Sequence, residues 1–520
     1  MVVGEILARN ANKFPAKVAV IHEGKSLSYR ELDQRANRLA NALLSFGLKK
    51  GDRVGVLLHN CPEFLEVYFA CAKSGGIFCP YNNHLKGVEL KEIINYSSPR
   101  FLFVDPDFLK TVEEIKDELS TVEHFILLGE IRAKDFVSYS ELMEKGREDE
   151  PGVDVAEGDV MSMIFTAGTT GRPKGALRTH KHVVLNALAG AIELQIGYDE
   201  IALISFPMYH VAGEDNLTKH ILMANTLVLR REGAFRAPDI LDLIEKHKVT
   251  RAQFVPTMIH RLVYEPRVGE YDLSSLRMIV YAAAPMPVSL LKQAMKVFSN
   301  CRFAQLYGQT ESGPLTTILK PEDHVPEGDE RLTKRLASCG RPVVTYELRI
   351  VDEQDKDVPV GEVGEIIVRS EAMMKGYWQM PEETERKLKG GWLHTGDLGR
   401  FDEDGYVYLV ERKDDMIISG GVNIYPREIE EVLYMHPAVS EACVVGVPDE
   451  HWGEVVRAVI VLKEGKSATE EEIKEFCSKY LANFKVPKAV DFWQELPKSP
   501  QGKVLKRVVR QMLKEQLGIS

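Results

Sequence analysis

The stretch from residue 166 to residue 175 has the composition of a phosphate-binding loop. It follows the apolar, strand-like residues 161–165 and contains three glycines, three threonines and two cations. Glycines allow turns with positive φ, and successive backbone N–H groups in such a turn form a concave site for anions. Threonine hydroxyls add neutral donors, and the two cations match the charge of a polyphosphate. The residues that we expect to contact phosphate are Thr166, Gly168, Thr169, Thr170, Gly171 and Lys174.

The spacing in this stretch differs from that of a Walker A loop, which has four residues between its first glycine and its Gly-Lys pair. Here two residues separate Gly168 from Gly171, and Pro173 precedes Lys174. A polar surface turn is the alternative interpretation of the stretch when it is taken alone.

Three further segments place polar side chains at the ends of predicted strands. Residues 207–213 read PMYHVAG, residues 307–311 read YGQTE, and residues 391–397 read GWLHTGD. An aromatic residue and a histidine at the carboxyl end of a strand lie where α/β sheets bind ligands. The structural alternative is that Tyr209 is a core residue and His210 caps a turn.

Small, flexible or cationic residues mark the remaining segments of interest. Residues 282–285 read AAAP, and their small side chains leave room for a flat adenine or an acyl chain. The charged run 411–415 is followed by two glycines at 420–421, and a terminal loop at 496–503 ends in a lysine. A lone lysine in a terminal loop is normally just solvated, so these segments gain meaning only together.

In this order, the segments resemble the signature motifs of the adenylate-forming enzymes: acyl-CoA synthetases, peptide-synthetase adenylation domains and luciferases. The resemblance covers the chain from about residue 160 to residue 503. It departs from the family at residues 282–284, where a glycine is usual and this chain has only alanines, which predicts a slightly narrower pocket. With no carrier domain after residue 520, we expect a free-standing enzyme and not a peptide-synthetase module.

The resemblance implies a role for each matched residue. It implies that the catalytic residues are Lys503, Glu311, Thr166 and His210, and that Glu311 and Thr166 bind magnesium. Beyond the phosphate loop, it implies nucleotide or coenzyme A contacts from Ala284, Pro285, Tyr307, Gly308, Gln309, Thr310, Asp397, Arg412, Gly420 and Gly421. It implies an acid pocket formed by Tyr209, His210, Ala282, Ala283 and Ala284. It implies a hinge at Asp414, about which a small domain turns.

The implied chemistry has two steps and needs no nucleophilic side chain. A carboxylate attacks the α-phosphorus of ATP, which gives an acyl-adenylate and pyrophosphate, and the thiol of coenzyme A then displaces AMP. Positioning and positive charge on the phosphates are what such catalysis requires. We therefore expect ATP, Mg²⁺, coenzyme A and a small-molecule carboxylic acid as ligands. The sequence leaves open whether the protein forms a homodimer.

Several identities for the acid and the acceptor stay open at this point. A medium- or long-chain fatty acid is the leading hypothesis, and an aryl or hydroxycinnamic acid is the alternative. Glu214 and Asp215, just after His210, would select a cationic or hydroxylated acid if they faced the pocket, but we expect them to face solvent. A luciferase shares all of these motifs, an idle nucleotide- or acyl-binding protein would have lost several of them, and another acceptor than coenzyme A is not excluded.

Helix and strand patterns predict an α/β protein with two domains. Segments typical of helices, such as 27–46 and 179–196, alternate with apolar strands, which indicates parallel sheets covered by helices. A more β-rich section follows after residue 338. We predict a large N-terminal domain over residues 1–411, a hinge at 412–414, and a small, mobile α+β domain over 415–520.

Composition excludes several classes of partner and site. The net charge is −11 and no basic block stands out, so nucleic acid is an unexpected partner. The seven cysteines have no CxxC pair, which argues against a structural zinc site and for a reducing compartment. The sequence begins without the features of a signal peptide and contains no apolar run of about 20 residues, the length of a membrane span. We expect a cytoplasmic protein.

Overall fold

The computed structural model describes residues 1–166, 173–449, 451–499 and 502–517. Along these residues, the α-helices are α1 (Val3–Lys13), α2 (Tyr29–Ser45), α3 (Pro62–Ser74), α4 (Gly87–Ser97), α5 (Leu109–Ile115), α6 (Tyr139–Glu144), α7 (His180–Glu193), α8 (Val211–Leu222), α9 (Ala237–His247), α10 (Pro256–Val263), α11 (Val288–Val297), α12 (Glu330–Lys334), α13 (Pro381–Lys387), α14 (Pro426–Met435), α15 (Glu470–Ser478) and α16 (Lys506–Leu517).

The strands of the first 319 residues are β1 (Val18–His22), β2 (Lys25–Ser28), β3 (Arg53–Leu57), β4 (Ile77–Pro80), β5 (Phe101–Val104), β6 (His124–Leu127), β7 (Phe136–Ser138), β8 (Val160–Thr166), β9 (Lys174–Thr179), β10 (Ile201–Ile204), β11 (Thr226–Leu229), β12 (Arg251–Phe254), β13 (Met278–Tyr281), β14 (Arg302–Gln309) and β15 (Gly313–Leu319). The later strands are β16 (Arg341–Pro342), β17 (Glu347–Val351), β18 (Gly364–Arg369), β19 (Gly376–Tyr377), β20 (Leu393–Phe401), β21 (Val407–Arg412), β22 (Ile417–Ser419), β23 (Val422–Ile424), β24 (Val439–Asp449), β25 (Gly453–Leu462) and β26 (Ala489–Phe492).

The two long predicted helices form, with shorter ends. Helix α2 starts after Ser28, whose side chain accepts a hydrogen bond from the Glu31 N–H while Glu31 binds the Ser28 N–H. This reciprocal pair is a capping box, which satisfies backbone donors that the first turn would leave unpaired. Helix α7 is capped in the same way by Thr179, but it ends at Glu193 because Gln195 takes a left-handed φ of 51°.

Two mixed sheets with parallel centres form the body of the large domain, as predicted. The first sheet has the strand order β16-β15-β14-β13-β12-β10-β11-β1-β2, and the second has the order β19-β9-β8-β4-β3-β5-β6-β7. In both sheets the central strands run parallel; antiparallel strands lie at both edges of the first sheet and at one edge of the second. The carboxyl ends of parallel strands share one edge of a sheet, and residues 282–285, which follow β13, lie at such an edge.

The β-rich section and the C-terminal domain each have a sheet of their own. Strands β17-β18-β20-β21 form an antiparallel sheet, and strands β23-β22-β25-β24 form the last one, with β26 parallel to β25. A single 3₁₀ turn over Lys413–Asp415 connects the two sheets. The α/β fold with a large N-terminal and a small C-terminal α+β domain is therefore confirmed. Within the described residues, no helix combines the length and the apolarity that crossing a bilayer requires.

A continuous apolar core lies between the two large sheets and encloses α8. Buried side chains of α1, α2 and α3 pack there with Leu217 and Ile221 of α8 and with strands from both sheets. A helix that is enclosed on all sides is normally apolar all round. Helix α8 instead carries Glu214, Asp215 and Lys219, each with a side chain at most 3% exposed.

The expectation that Glu214 and Asp215 face solvent is wrong, because α8 lies between the sheets. Glu214 pairs with Arg178 of β9, and Asp215 pairs with Lys219 one turn further along α8 at 2.9 Å. The charges can remain buried because each has a counter-ion, whereas an unpaired buried charge is strongly destabilising. Sequence periodicity could not show this, since charged residues at helical spacing are usually solvated.

We expect Arg178→Met to destabilise the large domain by about 3–5 kcal/mol, because it leaves the Glu214 carboxylate buried without its cation. The double variant Arg178→Met/Glu214→Leu should recover most of that loss, since it removes both charges. Thermal unfolding midpoints measure both effects. Arg267→Met, which removes an ion pair on the surface, is the matched control and should leave the midpoint unchanged. A single variant as stable as the control would contradict this account.

Candidate active site

The two ends of the predicted phosphate loop are held together by a β-hairpin. Strands β8 and β9 are antiparallel, and Thr166 lies opposite Lys174. Four of the predicted phosphate contacts, Gly168, Thr169, Thr170 and Gly171, lie outside the described residues. The hairpin thus fixes where the loop begins and ends, and it brings Lys174 next to the other predicted nucleotide residues.

Lys174 belongs to a chain of contacts that reaches Glu311. Its Nζ atom binds the Glu383 carboxylate at 2.8 Å and lies 5.4 Å from the centre of the Tyr377 ring. The Tyr377 hydroxyl donates to the Glu311 carboxylate at 2.8 Å. Glu311 itself sits in the turn between β14 and β15, and its carbonyl accepts the Met374 N–H. The predicted lysine and the predicted metal ligand therefore lie on either side of one tyrosine.

The Asp397 carboxylate joins three strands. One oxygen accepts the Tyr307 hydroxyl and the Gln309 amide, both at 2.7 Å, and the other lies 2.8 Å from the Arg412 guanidinium. Burial, with the Asp397 charge as the second cause, raises the pKa of Tyr307, so its phenol remains protonated and donates. A carboxylate has about four acceptor positions, and three are used by the protein. One position is left for a ribose hydroxyl unless a side chain moves.

Several predicted glycines are required by the backbone itself. A Cβ atom on Gly308 would lie 2.3 Å from the Gly313 carbonyl oxygen, because β14 and β15 pack closely there. Gly420 and Gly421 have φ values of 56° and 80° and form the two-residue turn between β22 and β23. Such a turn requires positive φ at both positions. These contacts account for the glycines without any ligand, so their predicted role toward a ligand stays a prediction.

The predicted acid pocket lies where β13 ends and α8 begins. His210 is the N-cap of α8, and its Nδ1 atom accepts the Ala212 N–H at 3.3 Å. Burial, with the Lys503 charge as the second cause, lowers the pKa of His210 to about 4. At neutral pH the ring is therefore uncharged, its proton is on Nε2, and Nε2–H is a donor. Tyr209 is buried beside it, and its hydroxyl has no partner among the described residues.

The family usually has a glycine among residues 282–284, and the backbone of this chain keeps a glycine-like conformation there although all three residues are alanines. Ala283 has a φ of 71°, in the left-handed region that favours glycine, while Ala282 is buried in the core of the first sheet. Ala284 and Pro285 follow at the edge of the sheet. A non-glycine residue in the left-handed region carries strain of about 1–2 kcal/mol. The backbone here is thus held in the glycine conformation although the residue has changed.

Lys503 reaches the site from the C-terminal domain. The charges that act on its amine include those of Arg412, Asp397 and Asp415, and the Lys503 charge in turn acts on His210. The residue keeps an exposed surface, but protein atoms crowd the amine, and this burial together with Arg412 lowers the pKa of Lys503. A Cβ atom on the preceding Gly502 would lie 2.5 Å from the Thr257 hydroxyl of α10. The loop of Lys503 therefore rests directly on the large domain.

Contacts beside the predicted hinge hold the domains in this arrangement. The Glu411 carboxylate accepts the Arg427 backbone N–H at 3.1 Å and the Lys506 amine at 3.0 Å. The Arg427 guanidinium also donates to the Leu409 carbonyl at 2.8 Å. Glu411 and Leu409 precede the hinge, whereas the other two residues follow it. Asp414 is exposed within the 3₁₀ turn.

Helix α13 carries residues of the site that the sequence analysis missed. Besides Glu383, it positions Lys387, whose amine donates to the Thr395 carbonyl at 3.0 Å. Burial lowers the pKa of Lys387, and the Glu311 and Asp397 charges act on it. By composition alone, the Glu-rich stretch 382–385 is typical of an exposed helix face. The signal that could have assigned this stretch to the site is its position in the chain, between the motifs YGQTE and GWLHTGD, both of which are predicted site segments.

Glu311 is suited to hold a magnesium ion. One of its oxygens accepts the Tyr377 hydroxyl, and the other has no hydrogen-bond partner among the described residues. Mg²⁺ commonly takes one or two carboxylates and completes its shell with water and phosphate. Elsewhere in the described residues, His59, Asp105 and Asp107 lie close enough together to hold an ion. Arg231 already bridges those two aspartates, which supplies their positive charge.

Known proteins match this chain over most of its length. The family of AMP-binding enzymes matches residues 7–378, and the C-terminal domain of AMP-binding enzymes matches residues 428–503. The chain is 37% identical to a feruloyl-CoA synthase of an Amycolatopsis species, with 98% of each chain covered. It is 32% identical to a long-chain-fatty-acid–CoA ligase of Mycobacterium tuberculosis, also with 98% of each covered.

A solved structure extends the similarity to the arrangement of both domains. The crystal structure of an anthranilate CoA ligase in complex with anthranoyl-AMP superimposes with a TM-score of 0.93 at 29% identity. The alignment covers 100% of this chain and 98% of that one.

We expect Lys503 to lose its proton at lower pH than a freely solvated lysine, because burial and the Arg412 cation disfavour its charged form. Only the neutral amine reacts with acetic anhydride, so trace labelling followed by mass spectrometry at several pH values measures the shift. The exposed Lys296 is the reference. In Arg412→Gln the Lys503 titration should move toward higher pH. Labelling of Lys503 that follows Lys296 at every pH would contradict the described surroundings.

Proposed function

The chain belongs to the AMP-binding enzyme family, and on that premise we propose that it activates a medium- or long-chain fatty acid with ATP and transfers the acyl group to coenzyme A. Relatives that bear the names of fatty-acid ligases support this acid class, as do the small apolar side chains at residues 282–284. Residues 1–411 and 415–520 are the two domains of this proposal, with 412–414 between them. A cytoplasmic location and a homodimer stay predictions.

The observation that carries the proposal is the position of Lys503. Although it comes from the C-terminal domain, its amine is close enough to Asp397 and His210 for charge to act between them. One cation, Lys503, therefore lies near both the predicted ribose contact, Asp397, and the predicted acid contact, His210. Such an arrangement suits the step in which a carboxylate meets the α-phosphate of ATP, since both reactants are anionic.

In the first step, a carboxylate oxygen attacks the α-phosphorus, a new P–O bond forms, and the bond to pyrophosphate breaks. The neutral His210 donates its Nε2–H to the acid and orients the attacking oxygen. Lys503 and Lys174 supply positive charge to the phosphates. Lys174 must first leave Glu383, which keeps a second cation from its own helix in Arg386. Asp397 and Tyr307 hold the nucleoside.

Magnesium would be held by Glu311, with Thr166 beside the phosphate loop. When bound, the ion would neutralise charge on the phosphates. Tyr377 orients the carboxylate through its hydroxyl, and Lys387 lies near enough for its charge to act on Glu311.

The second step requires a different group at the same carbonyl. The thiol of coenzyme A forms a C–S bond and AMP leaves, so the space that Lys503 occupies must open to a thiol channel. We assign this opening to rotation about Asp414, which brings Gly420 and Gly421 toward the site. Rotation breaks the bonds of Glu411 to Arg427 and Lys506.

Two alternatives have specific support. An aryl acid would fit between Tyr209 and the alanines, and feruloyl-CoA synthase is the name of one relative. A protein-bound thiol would also accept the acyl group, and a relative from Streptomyces coeruleorubidus is named a fatty acid–[acyl-carrier-protein] ligase.

Release of AMP and pyrophosphate from ATP tests the proposal directly. Fatty acids of graded length and several aryl acids are supplied with and without coenzyme A. We expect AMP turnover that needs both coenzyme A and one class of acid. Pyrophosphate release that ignores coenzyme A would contradict the acceptor but keep the first step, and no acid-dependent release at all would contradict the proposal as a whole.

Lys503→Ala separates the two steps. We expect acyl-adenylate formation to fall by about 10²–10³-fold, because one preorganised cation is lost where negative charge develops. Thioester formation from supplied acyl-AMP should be nearly unchanged, because Lys503 has left the site by then. Lys498→Ala is the matched control in the same terminal loop. Equal loss of both steps in Lys503→Ala would contradict its assignment.

A further inference from the structure

Lys506 is a buried cation that lies between carboxylates from both sides of the predicted hinge. It is the first residue of α16, and its Nζ atom lies 3.0 Å from the Glu411 carboxylate and 3.2 Å from the Glu430 carboxylate. Glu411 belongs to β21 of the large domain, whereas Glu430 belongs to α14 of the C-terminal domain. The side chains of Lys506, Glu411 and Glu430 are 16%, 7% and 14% exposed. One lysine therefore has two enclosed counter-ions, one in each domain.

The two carboxylates differ in what else they bind. Glu430 also accepts the Val444 backbone N–H at 2.8 Å, so this contact and its contact with Lys506 both lie within the C-terminal domain. Glu411 accepts the Arg412 N–H at 2.9 Å, which fixes its side chain to the start of the hinge. A rotation about the hinge would therefore carry Lys506 and Glu430 together and leave Glu411 behind.

Charge both holds and loosens this arrangement. Burial alone would lower the pKa of Lys506, but the charges of Glu430 and Glu411 outweigh it and raise that pKa, so the amine is charged at neutral pH. Two carboxylate oxygens that bind one amine lie within about 6 Å of each other, where like charges repel. Burial raises the pKa of Glu430, and the Glu411 charge raises it further against the effect of Lys506. Attraction to Lys506 thus draws Glu411 in, while repulsion from Glu430 limits how firmly it is held.

Lys506 is close enough in the chain to fix the position of Lys503. The Lys503 carbonyl accepts the Ser499 N–H at 2.8 Å, and the Leu505 N–H donates to the Pro497 carbonyl at 2.9 Å. The terminal loop is therefore closed on itself directly before α16 begins. Only two residues separate Lys503 from Lys506. The contact of Lys506 with the large domain thus decides where this loop stands, and with it where the Lys503 amine lies.

We infer that Lys506 is a positioning residue for acyl-adenylate formation, held by Glu411 when Lys503 is in the site and kept paired by Glu430 when the domain has turned. The inference rests on the proposed function, because it takes the two arrangements and the role of Lys503 from it. It adds that the two carboxylates act in opposite directions. Without Glu411 the first arrangement loses its hold, whereas without Glu430 the second arrangement leaves Lys506 without a counter-ion. An enclosed charge that has lost its counter-ion strongly disfavours the state that contains it.

Glu411→Gln and Glu430→Gln test the two carboxylates separately in the full-length enzyme, with the same change of charge in each. We expect Glu411→Gln to slow acid-dependent ATP–pyrophosphate exchange about threefold or more, while thioester formation from supplied acyl-AMP changes by less than about twofold. Glu430→Gln should slow thioester formation and spare the exchange. Lys485→Met removes a pair with Glu428 inside the C-terminal domain, so it is the control and should leave both steps unchanged. Equal effects of the two glutamine variants on both steps, or no effect of either, would overturn the inference.

Lys506→Met removes the cation itself, and Lys506→Arg is the conservative variant. We expect Lys506→Met to lower kcat for adenylate formation about tenfold or more with little change in KM for ATP, because a displaced Lys503 slows the reaction without removing the contacts of the nucleoside. Lys506→Arg should recover most of the rate, since a guanidinium also binds carboxylates. A raised KM with unchanged kcat in Lys506→Met would contradict the inference. The two glutamine variants, which keep the lysine paired, decide the question if Lys506→Met folds poorly.

Labelling of Lys503 with acetic anhydride tests the same arrangement without any substrate. In Glu411→Gln we expect the Lys503 titration to move toward that of the exposed Lys296, because its amine leaves the crowded site in a larger share of the molecules. Glu430→Gln should not move it in that direction. A Lys503 titration that is unmoved in both Glu411→Gln and Lys506→Met would overturn the inference. The expected labelling together with no AMP release from any acid would instead contradict the proposed function.

Discussion

The hydrogen-bonded Asp397 carboxylate is the contact on which the rest of the site depends. It ties Tyr307 and Gln309 at the end of β14 to Arg412 at the end of β21. The first of these strands belongs to the first large mixed sheet and the other to the antiparallel sheet next to the predicted hinge. Because these hydrogen bonds are short and their acceptor is charged, the predicted nucleoside end of the site is fixed before any ligand binds.

From Arg412 the arrangement continues across the hinge into the C-terminal domain. Glu411 binds Lys506 and the Arg427 backbone, and the loop of Lys503 rests on α10 at Thr257. These contacts are few and polar, which distinguishes them from the apolar cores within each domain. An interface of this kind is stable enough to define one arrangement and weak enough to be exchanged for another. A hinge at this position would therefore serve both proposed steps at one carbonyl.

The sequence predicted the architecture and the segments that meet at the candidate site, but not which charged side chains are enclosed. Local signals such as the Ser28 capping box and the alternating strands were sufficient for the helices and parallel sheets, because they depend on neighbours in the chain. The polarity of α8 could not be predicted in this way. Whether Asp215 faces water depends on a second sheet that covers the helix. Lys387 was missed for the same reason, since only tertiary packing brings α13 to Glu311 and Asp397.

A reversible cross-link between the domains tests most directly whether one arrangement serves only the first step. A Cβ atom on Gly502 would lie 3.7 Å from the Thr257 Cβ atom, and disulfides join Cβ atoms about 3.5–4.5 Å apart. In Thr257→Cys/Gly502→Cys, the oxidised enzyme should release pyrophosphate from ATP and acid but form no acyl-CoA until a reductant is added. The variants Thr257→Cys and Gly502→Cys, each with one added cysteine and treated alike, should remain active in both steps. Acyl-CoA formation at an undiminished rate by fully cross-linked enzyme would contradict the account.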